Sequence, residues 1–326
     1  MLEKLIESLK ATPKRLVYTE GCDPRILAAA SRLHAEKLLT PILLGEPGAV
    51  KAAAAAGGFD IEGIEIIDPM DYAGFDEMVD KMVELRKGKM TREDCEKALR
   101  KSNYFGTMLV KMEVADALLG GATYSTADTV RPALQIIKTR PGSKIVSSCF
   151  IMNRTGVDGK PERYAMADCA INLHPTADEL VEIAVETGKT ASFFGIDPKV
   201  AMLSYSTLGS GKGEDVDKVR EASQKLKAME LPFPVEGEIQ FDAAVAPEVG
   251  KLKAPGSKVA GEANVFVFPD INAGNIGYKI AQRLGGFEAV GPILQGLAAN
   301  INDLSRGCNA EEVYKMSIIT AGMEND

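Results

Sequence analysis

The sequence predicts an α/β fold with mostly parallel sheets covered by helices. Short β-branched or aliphatic runs alternate with helical patterns along most of the chain, and the alternation resumes in the second half. The length of 326 residues suggests two domains, each able to bury a core of its own. Apolar residues at 45% and charged residues at 26% fit an ordinary globular chain, so both halves can be read for packed elements.

Residues 15–20 read as the first strand. Asp23 then serves as an N-cap and Pro24 as the N1 residue, where its missing N–H costs nothing, for a helix to about Lys37. Residues 41–45 and 65–68 are the next strands. Helices follow over 75–87, 91–100 and 104–112, with Thr91 and Asp94 spaced as a capping box. Residues 115–119 form a strand that runs into the glycine- and hydroxyl-rich turn 120–126, and a helix then ends near Lys138. Pro141 and Gly142 break it and mark a domain boundary.

Beyond the break, strands are expected over 144–152, 164–172, 200–206, 238–241 and 265–268, and helices over 176–187, 216–229 and 273–284. A second crossing falls near 291–296. Residues 1–142 and 297–326 then make the first domain, closed by a helix over 313–320, and residues 143–296 make the second. No internal repeat is visible.

The net charge of −8 and pI near 5.1 argue against a nucleic-acid partner, so an anionic substrate needs local arginines. No apolar run approaches the ~18 residues of a membrane span, and residues 1–10 form a charged amphipathic segment without a cleavage site. A cytoplasmic protein with no membrane association is expected. Cys22, Cys95, Cys149, Cys169 and Cys308 are dispersed, odd in number and without a C-x-x-C pair, so they read as reduced thiols. With His34 and His174 as the only histidines, no metal site is expected.

Three polar segments invite functional readings. Ser125-Thr126-Ala127-Asp128-Thr129-Val130-Arg131 follows a strand and opens a helix, which suits an anion; a plain Ser125/Asp128 capping box explains it equally well. Residues 204–213, with Ser206, Thr207 and four glycine or serine neighbours before Lys212, form a turn able to approach a ligand, or a surface loop; the nucleotide P-loop spacing is absent. Gly195, Gly274 and Gly277 fit no dinucleotide fingerprint, which weakens a dehydrogenase reading. Densest of all is Asn302-Asp303-Leu304-Ser305-Arg306-Gly307-Cys308-Asn309-Ala310-Glu311-Glu312. Ser305 and Arg306 can hold a phosphate, hydroxyl donating and guanidinium forking onto two oxygens. Asn309 and Glu312 are spaced as a capping box, and Glu312 is also placed to be a general base. Cys308 has no histidine nearby in sequence and reads as packing.

Taken together, Asn103-Tyr104-Phe105-Gly106-Thr107-Met108, Ser125 to Lys138, Ala263-Asn264-Val265-Phe266-Val267-Phe268-Pro269-Asp270, Gly291-Pro292-Ile293-Leu294-Gln295-Gly296 and Asn302 to Cys308 resemble the phosphate acetyltransferase (phosphotransacetylase) family. The resemblance runs in order over essentially the whole chain. It implies two α/β domains with a cleft between them, a fold shared with isocitrate and isopropylmalate dehydrogenases, and a homodimer formed through the second domain. The implied reaction is reversible: acetyl-CoA plus phosphate gives acetyl phosphate plus CoA, with CoA as substrate and no tightly bound cofactor. The family's roles carry onto Ser305 and Arg306 at the reacting centre and onto Arg131 for CoA; looser matches carry onto Arg86, and onto Lys279 and Arg283 in the run 278–283. Where the common pattern has an aspartate as base for the CoA thiol, this chain has Glu312, one methylene longer, with Asp303 and Glu311 as the other carboxylates at hand. A longer-chain acyltransferase such as a butyryltransferase, and a non-catalytic acyl-CoA sensor, are the alternatives.

Overall fold

A computed structural model describes residues 2–323. The chain divides into two compact units, residues 1–142 with 297–326, and residues 143–296.

Up to residue 142 the elements are α1 (Glu3–Ala11), β1 (Lys14–Tyr18), α2 (Pro24–Ala35), β2 (Leu39–Leu44), α3 (Pro47–Gly57), β3 (Glu65–Ile67), α4 (Phe75–Arg86), α5 (Arg92–Leu99), α6 (Ser102–Lys111), β4 (Ala117–Gly120) and α7 (Thr126–Pro132), which ends in a π-helical turn, Ala133–Ile137. The second unit contains β5 (Ser147–Thr155), β6 (Pro161–Ala167), α8 (Ala177–Phe193), β7 (Val200–Leu203), α9 (Glu214–Lys227), β8 (Val235–Ile239), α10 (Phe241–Val245), α11 (Pro247–Lys253), β9 (Val265–Val267), α12 (Ile271–Arg283) and β10 (Glu288–Gln295). The chain then returns to the first unit with β11 (Asn300–Asp303) and α13 (Ala310–Gly322).

The first unit's sheet has the order β11-β4-β1-β2-β3 and is parallel throughout. Such a sheet needs cover on both faces, and β2 and β4 are accordingly almost wholly apolar and buried. Helix α2 is set by Asp23, whose side chain accepts from the Arg25 N–H at 2.9 Å, with Pro24 at N1. It buries Ile26, Leu27, Ala30 and Leu33 at helical spacing; each large aliphatic removed from water contributes about 1.5–3 kcal/mol. Helix α13 packs on α1, α2, β1, β4 and β11. Its few inward polar groups are paired: the Tyr18 hydroxyl donates to Ser317 Oγ at 2.7 Å, and Asn302 Nδ2 donates to Thr320 Oγ1 at 3.0 Å.

The second sheet has the order β10-β5-β6-β9-β7-β8. Its β10/β5 and β5/β6 pairs are antiparallel and the rest parallel, so the sheets are mostly, not wholly, parallel.

Several sequence expectations shift. The strand expected over 164–172 stops at Ala167, because buried Asp168 turns the chain. Its carboxylate accepts from the N–H groups of Ala170 (2.9 Å), Ile171 (3.2 Å) and Asn172 (3.1 Å), from the Asn172 amide, and from the Ser148 hydroxyl. The strand expected over 238–241 is β8, displaced toward the N-terminus, and Phe241 opens a helix instead. The run 291–296 is part of strand β10, whose register shifts between Val290 and Ile293, where Pro292 has no N–H to donate. Helix α3 was not expected; Glu46 caps it, accepting from Gly48 N at 2.7 Å and Ala49 N at 2.6 Å. No helix among the described residues is long and apolar enough to cross a membrane, and no group of His, Cys, Asp or Glu among them forms a metal cluster.

Candidate active site

In the first unit, β1, β4 and β11 are adjacent and parallel, so the segments leaving their carboxyl ends emerge at one edge of the sheet. These are residues 19–23, 121–125 and 304–309. Ligand loops of open α/β sheets occupy that edge.

Two carboxylates hold the floor. Glu20 Oε1 accepts from Thr123 N at 2.7 Å and Thr123 Oγ1 at 2.9 Å, and its Oε2 accepts from Gly121 N and Thr19 Oγ1, both at 3.1 Å. Asp303, 1% exposed, accepts from Thr126 Oγ1 at 2.6 Å and Thr129 Oγ1 at 2.5 Å. Burial pushes its carboxyl up to about 6; the two threonine hydroxyls oppose the shift and the Glu20 charge adds to it. Gly121 is required here: a Cβ would meet Asp303 Oδ1 at 2.1 Å, and its φ is +99°.

Above the floor, the loop 304–309 folds on itself. Cys308 N donates to Ser305 O at 2.9 Å and Gly307 N to Ser305 Oγ at 3.3 Å. Ser305 and Arg306 are exposed, and no side chain among the described residues pairs with the Arg306 guanidinium. Cys308 is buried beneath, and burial, with Glu312 and Asp23 adding, pushes its thiol up to about 11 against the pull of Arg25. The capping box forms: Glu312 N donates to Asn309 Oδ1 at 2.9 Å and Asn309 N to Glu312 Oε2 at 3.0 Å.

The three carboxylates near this loop are therefore unlike. Asp303 is buried under two threonine hydroxyls. Glu311 is ion-paired with Arg32 at 2.9 Å, and Arg32 also bonds Glu36 and covers the Tyr314 ring. Glu312 keeps its Oε1 without a partner among the described residues.

The Ser125/Asp128 capping box does not form. The Ser125 hydroxyl donates to the Asp128 carboxylate at 2.7 Å, and no side chain caps α7. Thr126 is committed to Asp303, while Arg131 is exposed one turn along the helix. Arg86, the last residue of α4, donates from Nη1 to Gln135 O at 3.0 Å, and its buried Nε has no partner among the described residues. Tyr104 donates to Gln135 Oε1 at 2.9 Å; burial raises its phenol, while the nearby charges of Arg131 and Arg86 draw it down. Tyr104 thus feels the charge of both guanidiniums.

In the second unit, the 204–213 loop is held from inside. Glu238, 1% exposed, accepts from Ser206 Oγ at 3.1 Å, Gly209 N at 2.7 Å, and Arg220 Nε and Nη2 at 3.1 and 3.0 Å. Thr207 Oγ1 donates to Gln240 Oε1 at 3.1 Å. The Ser206 and Thr207 hydroxyls, expected to meet substrate, are buried and bonded to Glu238 and Gln240 in this unit. Lys279 and Arg283 lie exposed on α12, Lys279 donating to Asn275 Oδ1 at 2.6 Å.

Arg25 escaped the sequence reading. Its guanidinium donates to the carbonyls of Ala122 (2.8 Å), Arg306 (2.9 Å) and Cys308 (3.1 Å), tying two loops that lie far apart in the chain. The only local signal was Asp23 two residues before it, which reads as a cap alone.

Known proteins match this chain nearly end to end. The family model "Phosphate acetyl/butaryl transferase" matches residues 1–321. The phosphate acetyltransferase of Bacillus subtilis is 52% identical over 315 residues, covering 97% of this chain and 96% of that one. A solved phosphotransacetylase from Streptococcus pyogenes superposes with a TM-score of 0.91 at 54% identity, covering 99% of this chain and 98% of that one. The EutD phosphotransacetylase from Staphylococcus aureus gives 0.87 at 51% identity, covering 98% and 97%. With the family matched over nearly its full length and relatives more than half identical, this chain belongs to the phosphate acetyl/butaryl transferase family.

Proposed function

We propose that this chain is a phosphate acetyltransferase, moving an acetyl group reversibly between CoA and inorganic phosphate. The observation that carries the reading is Arg306, exposed beside Ser305 with no side-chain partner among the described residues, on a loop whose other polar groups are largely engaged. An unpaired guanidinium held on a fixed loop is a receptor for a phosphate.

In the thioester-forming direction, the CoA sulfur attacks the carbonyl carbon of acetyl phosphate. The new C–S bond forms, the bond from carbonyl carbon to bridging oxygen breaks, and that oxygen leaves as phosphate with its electron pair. A free thiol, pKa about 8.5, is only a few per cent ionised at neutral pH, so a base that takes its proton speeds attack. Glu312 is assigned that role because its Oε1 is unengaged while Asp303 and Glu311 are committed elsewhere. Arg306 stabilises the charge gathering on the departing phosphate, and Ser305 donates a hydrogen bond to the reacting group.

CoA enters as a substrate and needs no resident cofactor. Its phosphates are assigned to Arg86 and Arg131, whose charges converge on Tyr104. Lys279 and Arg283 offer two further cations on α12. Acetyl is assigned over longer acyl groups because the relatives at 51–54% identity are named for it.

Two assignments complete the proposal. Cytoplasmic residence is supported by five free cysteines. Homodimerisation through residues 143–296 is supported by the exposed large apolar side chains: among the described residues, all but Met70 and Leu134 lie in that unit.

The test is to mix the purified protein with CoA and acetyl phosphate and follow thioester absorbance, with butyryl phosphate alongside. Rapid thioester formation favouring acetyl is expected. Acyl-CoA binding without thioester formation from either donor would mark a sensor and sink the assignment.

A further inference from the structure

We infer that Arg25 is a positioning residue for the transfer reaction, fixing the Ser305–Arg306 loop from beneath while touching neither substrate. The inference rests on the reading of that loop as the reacting centre.

A guanidinium has five N–H donors in a rigid planar fork. In Arg25 all five are used. Nε donates to Asp23 Oδ1 at 2.9 Å; Nη2 donates to Asp23 Oδ2 at 2.7 Å and to Ala122 O at 2.8 Å; Nη1 donates to Arg306 O at 2.9 Å and to Cys308 O at 3.1 Å. The fork onto Asp23 orients the plane, and the remaining three donors reach two loops at once.

This placement works against local preference. Arg25 sits in the first turn of α2, where the helix dipole disfavours a cation. Asp23 offsets that charge, and the Asp23 side chain also caps the helix through Arg25 N. The base of the strut is firm, since the next residues, Ile26 and Leu27, are fully buried in the core.

Besides Arg25, the loop is held by the buried Leu304 and Cys308 at its ends and by the Asn309/Glu312 capping box where it enters α13, but its exposed middle has few other bonds. Its internal bonds are the two to Ser305, and its entry is fixed by Leu304 N donating to Gly120 O at 2.7 Å. The Arg306 and Cys308 carbonyls accept from Arg25, while Ser305 and Arg306 themselves remain exposed. Reacting groups misplaced by about 1 Å can cost about a hundredfold in rate, so a strut at this position is worth a large share of turnover. Lysine cannot replace it: an ammonium is a point donor without the fork.

The experiment compares the full-length protein with Arg25→Lys and Asp23→Asn, measuring kcat, KM for both substrates, thermal stability and amide exchange. For Arg25→Lys, kcat falls about tenfold to a hundredfold. KM for CoA stays within about threefold, because the cations assigned to CoA lie elsewhere, and exchange quickens in 304–309 without a matching change in the core. Asp23→Asn retains a good cap but loses the charged fork, and shows the same pattern more weakly. Should Arg25→Lys fail to fold, Asp23→Asn carries the test alone. A kcat within twofold of wild type, or a loss accompanied by exchange quickened throughout the unit, overturns the inference. Absence of thioester formation by the wild-type protein would instead overturn the proposed function, while the exchange pattern would still test the strut.

Discussion

The loops 204–213 and 304–309 look alike on paper and differ in what their polar groups face. Each follows a parallel strand, β7 or β11, and each offers serine, glycine and a cation ahead of a helix. In the first, the hydroxyls of Ser206 and Thr207 are turned into the unit and bonded to Glu238 and Gln240. In the second, the inward bonds are made by backbone carbonyls on Arg25, and Ser305 and Arg306 remain exposed. In 304–309 the bonds to Arg25 are met by backbone carbonyls and the Arg306 side chain has no partner among the described residues; in 204–213 the side chains themselves meet the structural bonds.

The contrast separates turnover from stability, and the largest expected effect lies in the exposed loop. Arg306→Gln should lower kcat about a thousandfold, the scale of losing one preorganised donor to a transition-state anion, with a melting temperature near wild type. Steady-state kinetics paired with a thermal scan checks both halves; a comparable loss of stability would show Arg306 to be structural.

Glu312→Gln should follow, with kcat down about a hundredfold, the lower range for general-base catalysis. The amide oxygen still accepts from Asn309 N, so the capping box survives and stability changes little. Should Glu312→Gln retain full activity, its carboxylate is only a cap, and Asp303 returns as the base to test.

In the inward-facing loop the expectation reverses. Glu238→Gln leaves a buried site without the charge that Arg220, Gly209 and Ser206 converge on, at a cost of about 2 kcal/mol of stability, the scale for hydrogen bonds to a charged group. Denaturant unfolding should reveal this, and thioester formation by the folded fraction should stay near wild type. A large kcat loss in a protein of unchanged stability would mean that 204–213 contributes more than a held turn.

Asp303 gives a pH test of the floor. Its folded-state pKa, about 6, lies above the usual unfolded value of about 3.9. The native state therefore binds the proton more tightly, and the resulting stabilisation is fully present below about pH 4 and lost as pH rises through 6. The span is about 2.7 kcal/mol for a two-unit difference. Unfolding free energies from pH 4 to 7 should fall more steeply in wild type than in Asp303→Asn, and parallel curves would contradict the burial argument.

The fold was legible where local chemistry and tertiary packing agree. Asp23 with Pro24, the Thr91/Asp94 capping box and the Asn309/Glu312 box each satisfy backbone donors within four residues, so spacing alone exposes them. β11 was not legible, because Asn300, Asn302 and Asp303 are poor strand formers that pair here only through burial beside β4. The exposed residues of the candidate site stood out by density and by resemblance. Arg25 did not, since its partners are main-chain carbonyls 97 to 283 residues away and carry no side-chain signature.

The smallest effect is also the finest version of the comparison, because Cys308 lies within the exposed loop yet on its inward side. It is 7% exposed, and Arg25 Nη1 is 3.7 Å from its sulfur. With the thiol pushed up to about 11, only about one part in ten thousand is thiolate at pH 7, too little for an acyl carrier. Cys308→Ala removes one buried atom, at a cost of about 1 kcal/mol, and should leave kcat within twofold. Rapid-quench analysis for an enzyme-bound thioester should find none in wild type. If Cys308→Ala instead abolishes turnover, the acetyl group passes through the inward side of the loop, and the division between a structural and a reactive face fails at the residue where it is drawn most narrowly.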